Sequence, residues 1–289
     1  MLAAAGFWSF GSVLGKSTHA SGVVLSFWRL WIASLVMLGI VAATKRWPST
    51  KDFKRAAVAG ILFGLNVCVF FIALETVTIA TALIIAALAP VVALPVSVLL
   101  FGERLTAVKT ICATASVAGV IVAVLVTPSS GSGGHNSKVG YLWAVLALVF
   151  WVGYLLVSKG VRAKVETVRF MFIVSLIGAM TVTVLVVIGS KHLGEVHGAG
   201  WAWVVMLAIG PGIAGHGLVA WAQPRVDASV TTVLIQLEPV GASAAAWIVL
   251  GERISGAQGF AMSGVIAALC VLAYSESRDG AVEIIDAVS

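Results

Sequence analysis

Charge is what this sequence lacks most. Over 289 residues only 10% are Asp, Glu, Lys or Arg, against roughly 25% in soluble domains, while 60% are hydrophobic. A chain so poor in charge cannot cover a water-facing surface, so it reads as an integral membrane protein whose first partner is the lipid bilayer. Cysteine is scarce too. Cys68, Cys112 and Cys270 lie in apolar runs at unrelated spacings, which argues against a disulfide framework or a metal site and leaves packing as their role. Neither an H-E-x-x-H zinc motif nor a G-x-S-x-G nucleophile motif is present, and no cofactor is expected. No basic residue precedes Lys16, so the basic n-region of a secretory signal is missing and the first segment is expected to be retained. The charge that remains leans basic, at a net +6. In a membrane protein such an excess usually sits in cytoplasmic loops, and nucleic acid is not an expected partner.

One stretch imitates a nucleotide site. Residues 11 to 17 read GSVLGKS, but the phosphate-binding loop needs one more residue between its glycines and a strand before them. The upstream MLAAAGFWSF offers no strand alternation, so the stretch reads as the end of a membrane helix.

About 20 apolar residues span a bilayer as a helix. Ten runs are candidates: 2–15, 22–43, 56–74, 78–101, 107–127, 139–158, 168–189, 201–222, 228–250 and 256–274. The first is short for a full crossing. PSSGSGGHNSK, residues 128 to 138, is a Gly/Ser-rich linker between a first half, 1–127, and a second, 139–274. The remainder, 275–289, is a polar cytoplasmic tail. Lys45, Arg46, Lys51, Lys54, Arg55, Arg104, Lys109, Lys159, Arg162, Lys164, Arg169, Arg225 and Arg278 fall on one side of these spans. The excess of positive charge makes that side, and both termini, cytoplasmic.

The halves repeat each other. ALETVTIATALIIAALAPVVALPVSVLLFGER, residues 73 to 104, aligns without a gap with AQPRVDASVTTVLIQLEPVGASAAAWIVLGER, residues 222 to 253, sharing Ala, Val, Leu, Pro, Val, Ala and a terminal Gly-Glu-Arg. Pro90 and Gly102 are spaced as Pro239 and Gly251 are, and WSFGSVLGK with Trp8 and Lys16 recurs as WVGYLLVSK with Trp151 and Lys159. Five helices per half reverse the second half in the membrane, which gives an inverted repeat of the kind that encloses a midplane site in secondary transporters. The expected fold is all-α, with ten transmembrane helices as two inverted five-helix repeats.

On LAPVVALPVSVLLFGERL and LEPVGASAAAWIVLGERI, each with a proline in its fourth helix and Gly-Glu at its end, the chain resembles the EamA-type permeases of the drug/metabolite transporter superfamily over nearly its whole length. The resemblance implies a gradient-driven transporter, often an exporter of amino acids or similar small metabolites, in the bacterial inner membrane. It leaves open protons as coupling ion and the choice of monomer or homodimer. An intramembrane enzyme or a non-transporting receptor or scaffold is the alternative.

An ionisable group inside the membrane costs roughly 2.5 to 3.5 kcal/mol, so each needs a reason. Glu238 stands mid-run beside Gln236 and before Pro239, where the proline frees the Ile235 carbonyl. Its carboxyl can carry a proton, pair with a cationic substrate, or be held by local bonds. Asn66 and His216 fall at adjacent positions of equivalent helices, and His216 lies in IGPGIAGHG, a pattern for an interrupted helix with a titratable group. Trp221 and Gln223 continue that helix. Trp8 and Trp151 either pack near interfacial lysines or line a central cavity. Arg29, in FWRLW, attracts a carboxylate or snorkels to the interface. Gly102 and Gly251 read as left-handed helix ends, and Glu103 and Glu252 behind them as residues that fix helical hairpins.

Overall fold

A backbone amide in hydrocarbon finds no water, so an apolar run must bond its own N–H and C=O groups, and a single segment does so as a helix. The computed structural model describes residues 2–125, 137–242 and 255–288, and these are helical with no strand among them. Seven helices among the described residues are long and apolar enough to cross a membrane: Gly22–Thr44, Thr50–Thr76, Thr81–Phe101, Lys138–Arg162, Thr167–Ile188, Gly200–Arg225 and Gly256–Ser275, with a shorter apolar helix at Ala107–Ala123. Large apolar side chains such as Leu99, Val187, Ile188 and Phe260 face outward, where lipid would meet them.

The first run forms two helices rather than one, α1 (Leu2–Trp8) and α2 (Gly11–Ser17), turned at Ser9 and Phe10. GSVLGKS is therefore α2, and its Gly15 makes room for the Phe71 ring rather than cradling phosphate. α3 (Gly22–Thr44) and α4 (Thr50–Thr76) follow. α4 starts at a capping box, in which the Ser49 hydroxyl accepts from the Asp52 N–H and the Asp52 carboxylate from the Ser49 N–H. The fourth run is broken at Ala87 and Leu88 into α5 (Ile79–Ala86) and α6 (Ala89–Phe101), and α6 ends at Gly102 with φ of 65°, a conformation that favours glycine. α7 (Ala107–Leu125) closes the first half.

In the second half come α8 (Lys138–Arg162), α9 (Thr167–Ile188), α10 (Gly200–Leu207), a π-helical stretch (Ala208–Gly215), α11 (His216–Ala222), α12 (Ala228–Leu234) and α13 (Gly256–Val288). Most of the expected linker lies outside the described residues. Its last two positions belong to α8 instead, since Ser137 caps that helix through the Gly140 N–H at 2.9 Å and Lys138 begins it. Gly251, Glu252 and the end of the ninth run also lie outside the described residues. The polar residues after Ser275 prolong α13 as helix.

α12 ends in a break at Ile235 and Gln236, after which residues 237–242 are helical again. Pro90 and Pro239 both stand in the first turn of the stretch that follows a break, where a missing N–H removes no helical bond. The Ile235 carbonyl, expected to be free, instead accepts the Glu238 N–H at 2.8 Å. The two breaks touch: Gln236 Nε2 donates to the Ala87 carbonyl at 2.6 Å, and these residues are 149 apart, the offset at which the halves align.

Helix packing follows the same exchange. α3 packs on α9, α7 on α13 and α6 on α12, while α4 against α8 is matched by α1 against the π stretch. The α4–α9 seam is close enough that a side chain on Gly64 would lie 2.7 Å from the Gly178 carbonyl; small residues permit such approach where apolar burial alone drives nothing together.

Candidate functional site

The π stretch Ala208–Gly215 and the breaks in the two fourth helices leave backbone and side chains facing a space between the halves. The Pro211 carbonyl accepts the His216 N–H across the π turn and, through its second lone pair, the Trp8 Nε1–H at 3.0 Å. That bond fixes the Trp8 indole against His216, at 4.8 Å between ring centroids, and edge-on to Trp151 at 5.4 Å. Phe63 meets the His216 ring at 4.7 Å and Tyr154 at 6.1 Å. His216 is thus walled by aromatics from α1, α4 and α8, and its Nδ1 has no hydrogen-bond partner.

Trp8, Trp151 and His216 border a cavity of about 120 Å³, concave and largely apolar as small-molecule sites are. It is lined by Trp8, Gly11, Arg29, Asn66, Val67, Phe70, Phe71, Ala82, Leu83, Ala86, Ala144, Ala147, Leu148, Trp151, Pro211, His216 and Glu238. Its formal charges are Arg29 and Glu238, which interact across it without forming an ion pair. Asn66 is oriented by its bond from Nδ2 to the Ala147 carbonyl at 2.9 Å. Glu238 is held at its backbone, where its carbonyl accepts from the Ser9 hydroxyl at 3.3 Å.

The structure thus brings Trp8, Trp151, Asn66, His216, Glu238 and Arg29 to one space. Arg29 does not snorkel: it lies buried two turns inside α3. Trp221 points outward, 55% exposed, with the Arg225 guanidinium over its ring at 4.8 Å. Gln223 is buried against the Leu155 carbonyl at 3.2 Å, and Gln236 is spent on Ala87; neither lines the cavity. Cys270 is exposed, unlike buried Cys68 and Cys112, and so packs nothing inside. Tyr154 escapes the sequence reading, although its place one helical turn after Trp151 puts both on one face of α8.

A second constellation sits at one end of the bundle, and the sequence reading misses it as well. Glu103, just beyond α6, accepts from the Ala228 N–H at 2.8 Å, the Ser229 N–H at 3.1 Å and the Ser229 hydroxyl at 2.6 Å, and from Lys159 at 3.0 Å. Lys159 also reaches the Val226 carbonyl at 3.0 Å and Asp227 at 3.4 Å, while Lys109 meets Asp227 at 2.7 Å. Glu103 therefore caps a helix of the other half rather than fixing its own hairpin, and Lys159 is a structural cation rather than a snorkelling one. Burial alone would raise the Glu103 pKa. The hydrogen bonds from Ser229, Ala228 and Lys159 outweigh it and lower the value from 4.5 to about 2. Glu75, in the last turn of α4, accepts the Gly22 N–H at the start of α3. No group of three or more His, Cys, Asp or Glu among the described residues could hold a metal ion.

With this geometry the comparisons agree. The model of the EamA-like transporter family matches residues 1–125 and again residues 138–274. The chain belongs to that family. It is accordingly a multi-pass membrane protein of the drug/metabolite transporter superfamily, a group of transporters rather than enzymes. A solved crystal structure with 24% sequence identity superposes with a TM-score of 0.77, covering 95% of this EamA-like chain and 96% of its own, and shares the fold. No match is found among curated proteins.

Proposed function

We propose that this EamA-like protein is a secondary transporter that exports amino acids or similar small metabolites by gradient-driven alternating access. The observation that carries the reading is the central cavity, walled by aromatics and carrying Arg29 and Glu238 unpaired. A solute entering it exchanges water for apolar surface and meets a few polar groups that fix its orientation. The ten spans form two inverted repeats, a reading supported by the packing of α3, α6 and α7 on their counterparts α9, α12 and α13. The contact from Gln236 to Ala87, where both fourth helices are broken, makes a pivot about which the halves rock. Glu238 takes up the coupling proton; Arg29 is the cavity group whose charge bears on it.

The test is efflux from proteoliposomes loaded with a mixed pool of amino acids, nucleosides and sugars, read by mass spectrometry with and without a pH gradient. One class should leave selectively, faster with the gradient. Glu238→Gln at equal expression should remove the dependence on the gradient. Wild-type flux and pH dependence in that variant would rule out the coupling role, and chemical alteration of the pool would indicate an enzyme.

A further inference from the structure

Among the described residues, the basic side chains drawn into this bundle have partners, with one exception. Arg162 is bonded from Nε to the Ala220 carbonyl at 2.7 Å and from Nη2 to Thr167 at 2.5 Å, and Lys159 has two carboxylates and a carbonyl. Arg29 is 6% exposed, its Nε has no partner, and no hydrogen bond or ion pair reaches its guanidinium from any described residue. The Phe71 ring lies 5.5 Å from it, Glu238 acts on it only across the cavity, and it lines that cavity. A cation buried with no partner is among the most destabilising features a fold can carry. Nothing in α3 requires one, since a methionine would fill the same length of helix.

We infer that Arg29 is the anion subsite of the cavity and takes the carboxylate of the bound solute. A guanidinium offers a planar fork of donors that matches a carboxylate in two parallel bonds. A ligand carboxylate would supply the partner that the protein withholds. Glu238 lies on the same cavity, so a solute with an ammonium group beside its carboxylate can meet both charges. Trp8, Trp151 and Phe70 would then receive the apolar remainder. The chemical class is a monocarboxylate with an apolar body, the amine being tolerated rather than required. The assignment rests on the transport reading only in calling this solute the substrate, because binding is measured separately.

The probes are phenylalanine, 3-phenylpropionate and phenethylamine, which carry both charges, the carboxylate alone and the amine alone. Each is added to the full chain in detergent at fixed ionic strength, and thermal unfolding is followed, since a ligand of the native state raises the midpoint by mass action. Phenylalanine and 3-phenylpropionate should raise it and phenethylamine should not. Arg29→Gln should weaken both carboxylates at least about tenfold, the scale of one charge-assisted bond pair, and Arg29→Lys should recover part of the loss. The inference falls if neither carboxylate stabilises the wild type, if phenethylamine stabilises it equally, or if Arg29→Gln responds as the wild type does. Flux of the same panel in proteoliposomes separates the two readings. Carboxylate binding without flux would sink transport and keep Arg29, whereas flux of phenethylamine alone would sink Arg29 and keep transport.

Discussion

At the end of the bundle that holds Glu103, four charged side chains account for one another; in the central cavity, Arg29 and Glu238 do not. Glu103, Lys159, Asp227 and Lys109 lie within 2.7 to 3.4 Å of their partners, and the remaining Glu103 lone pairs are filled by α12. The cavity charges share a space with His216 and aromatic rings and stay apart. Burial is common to Glu103 and Arg29, so burial alone does not distinguish a structural charge from a working one. Pairing does. A charge whose partners are all protein atoms holds the fold, and one without them is available to a ligand.

The comparison breaks most visibly at Glu103. Glu103→Ala removes the acceptor of two backbone N–H groups and a hydroxyl and leaves Lys159 short of a counter-charge. Removing one partner of a buried pair costs about 3 to 5 kcal/mol, to be read as a fall in the denaturation midpoint in detergent. A loss below about 1 kcal/mol would show that the end cluster is no firmer than a surface salt bridge.

The acid response of the same carboxylate comes next. Its folded pKa of about 2 lies below the unfolded 4.5, so the native state binds fewer protons and the contribution to stability is complete above about pH 4.5. It is lost as pH falls toward 2. Wild type should therefore lose its advantage over Glu103→Gln across that window, while the gap between them stays flat at higher pH. A gap that persisted undiminished to the acid end would contradict the depressed value.

Arg29 should behave in the opposite way. Arg29→Met removes a charge that nothing in the protein satisfies, so the ligand-free chain should gain about 1 kcal/mol, the usual trade of function for stability at a strained site. A loss comparable to that of Glu103→Ala would mean that Arg29 holds the fold after all, and the distinction drawn from pairing would fail.

Much of the fold is legible in the apolar runs, because a bilayer leaves a backbone few ways to bond itself. Runs 22–43, 168–189 and 256–274 lie within two residues of the helices Gly22–Thr44, Thr167–Ile188 and Gly256–Ser275. The break in α5 and α6 is marked by Pro90 and the π stretch by Pro211 and its glycines. The cavity is legible in part: Glu238 and His216 stand out as polar residues in apolar runs, and Trp8 and Trp151 as members of a repeat. Hidden from the sequence is the direction in which each face turns. Arg29 sits close enough to the start of its run to snorkel, yet α3 begins at Gly22 and turns it inward. The end cluster is hidden for a different reason, since Glu103 meets Ser229 across 126 residues and only the packing of α6 beside α12 brings them together.

Trp221 offers the smallest effect and the finest check. It continues the helix that carries His216 and, by composition, belongs with Trp8 and Trp151. It nevertheless stands outside the cavity, 55% exposed, and its one specific contact is the Arg225 guanidinium at 4.8 Å. An exposed cation–π pair is worth about 0.5 to 1 kcal/mol, and Phe keeps an aromatic face for the cation. Trp221→Phe should therefore move the denaturation midpoint by no more than about 0.5 kcal/mol and leave flux unaltered. Trp151→Phe, at the cavity wall, should slow flux at equal expression. If the outward tryptophan proved the more sensitive of the two, the solute would travel along the lipid face of α11, and the cavity would lose its claim to be the route.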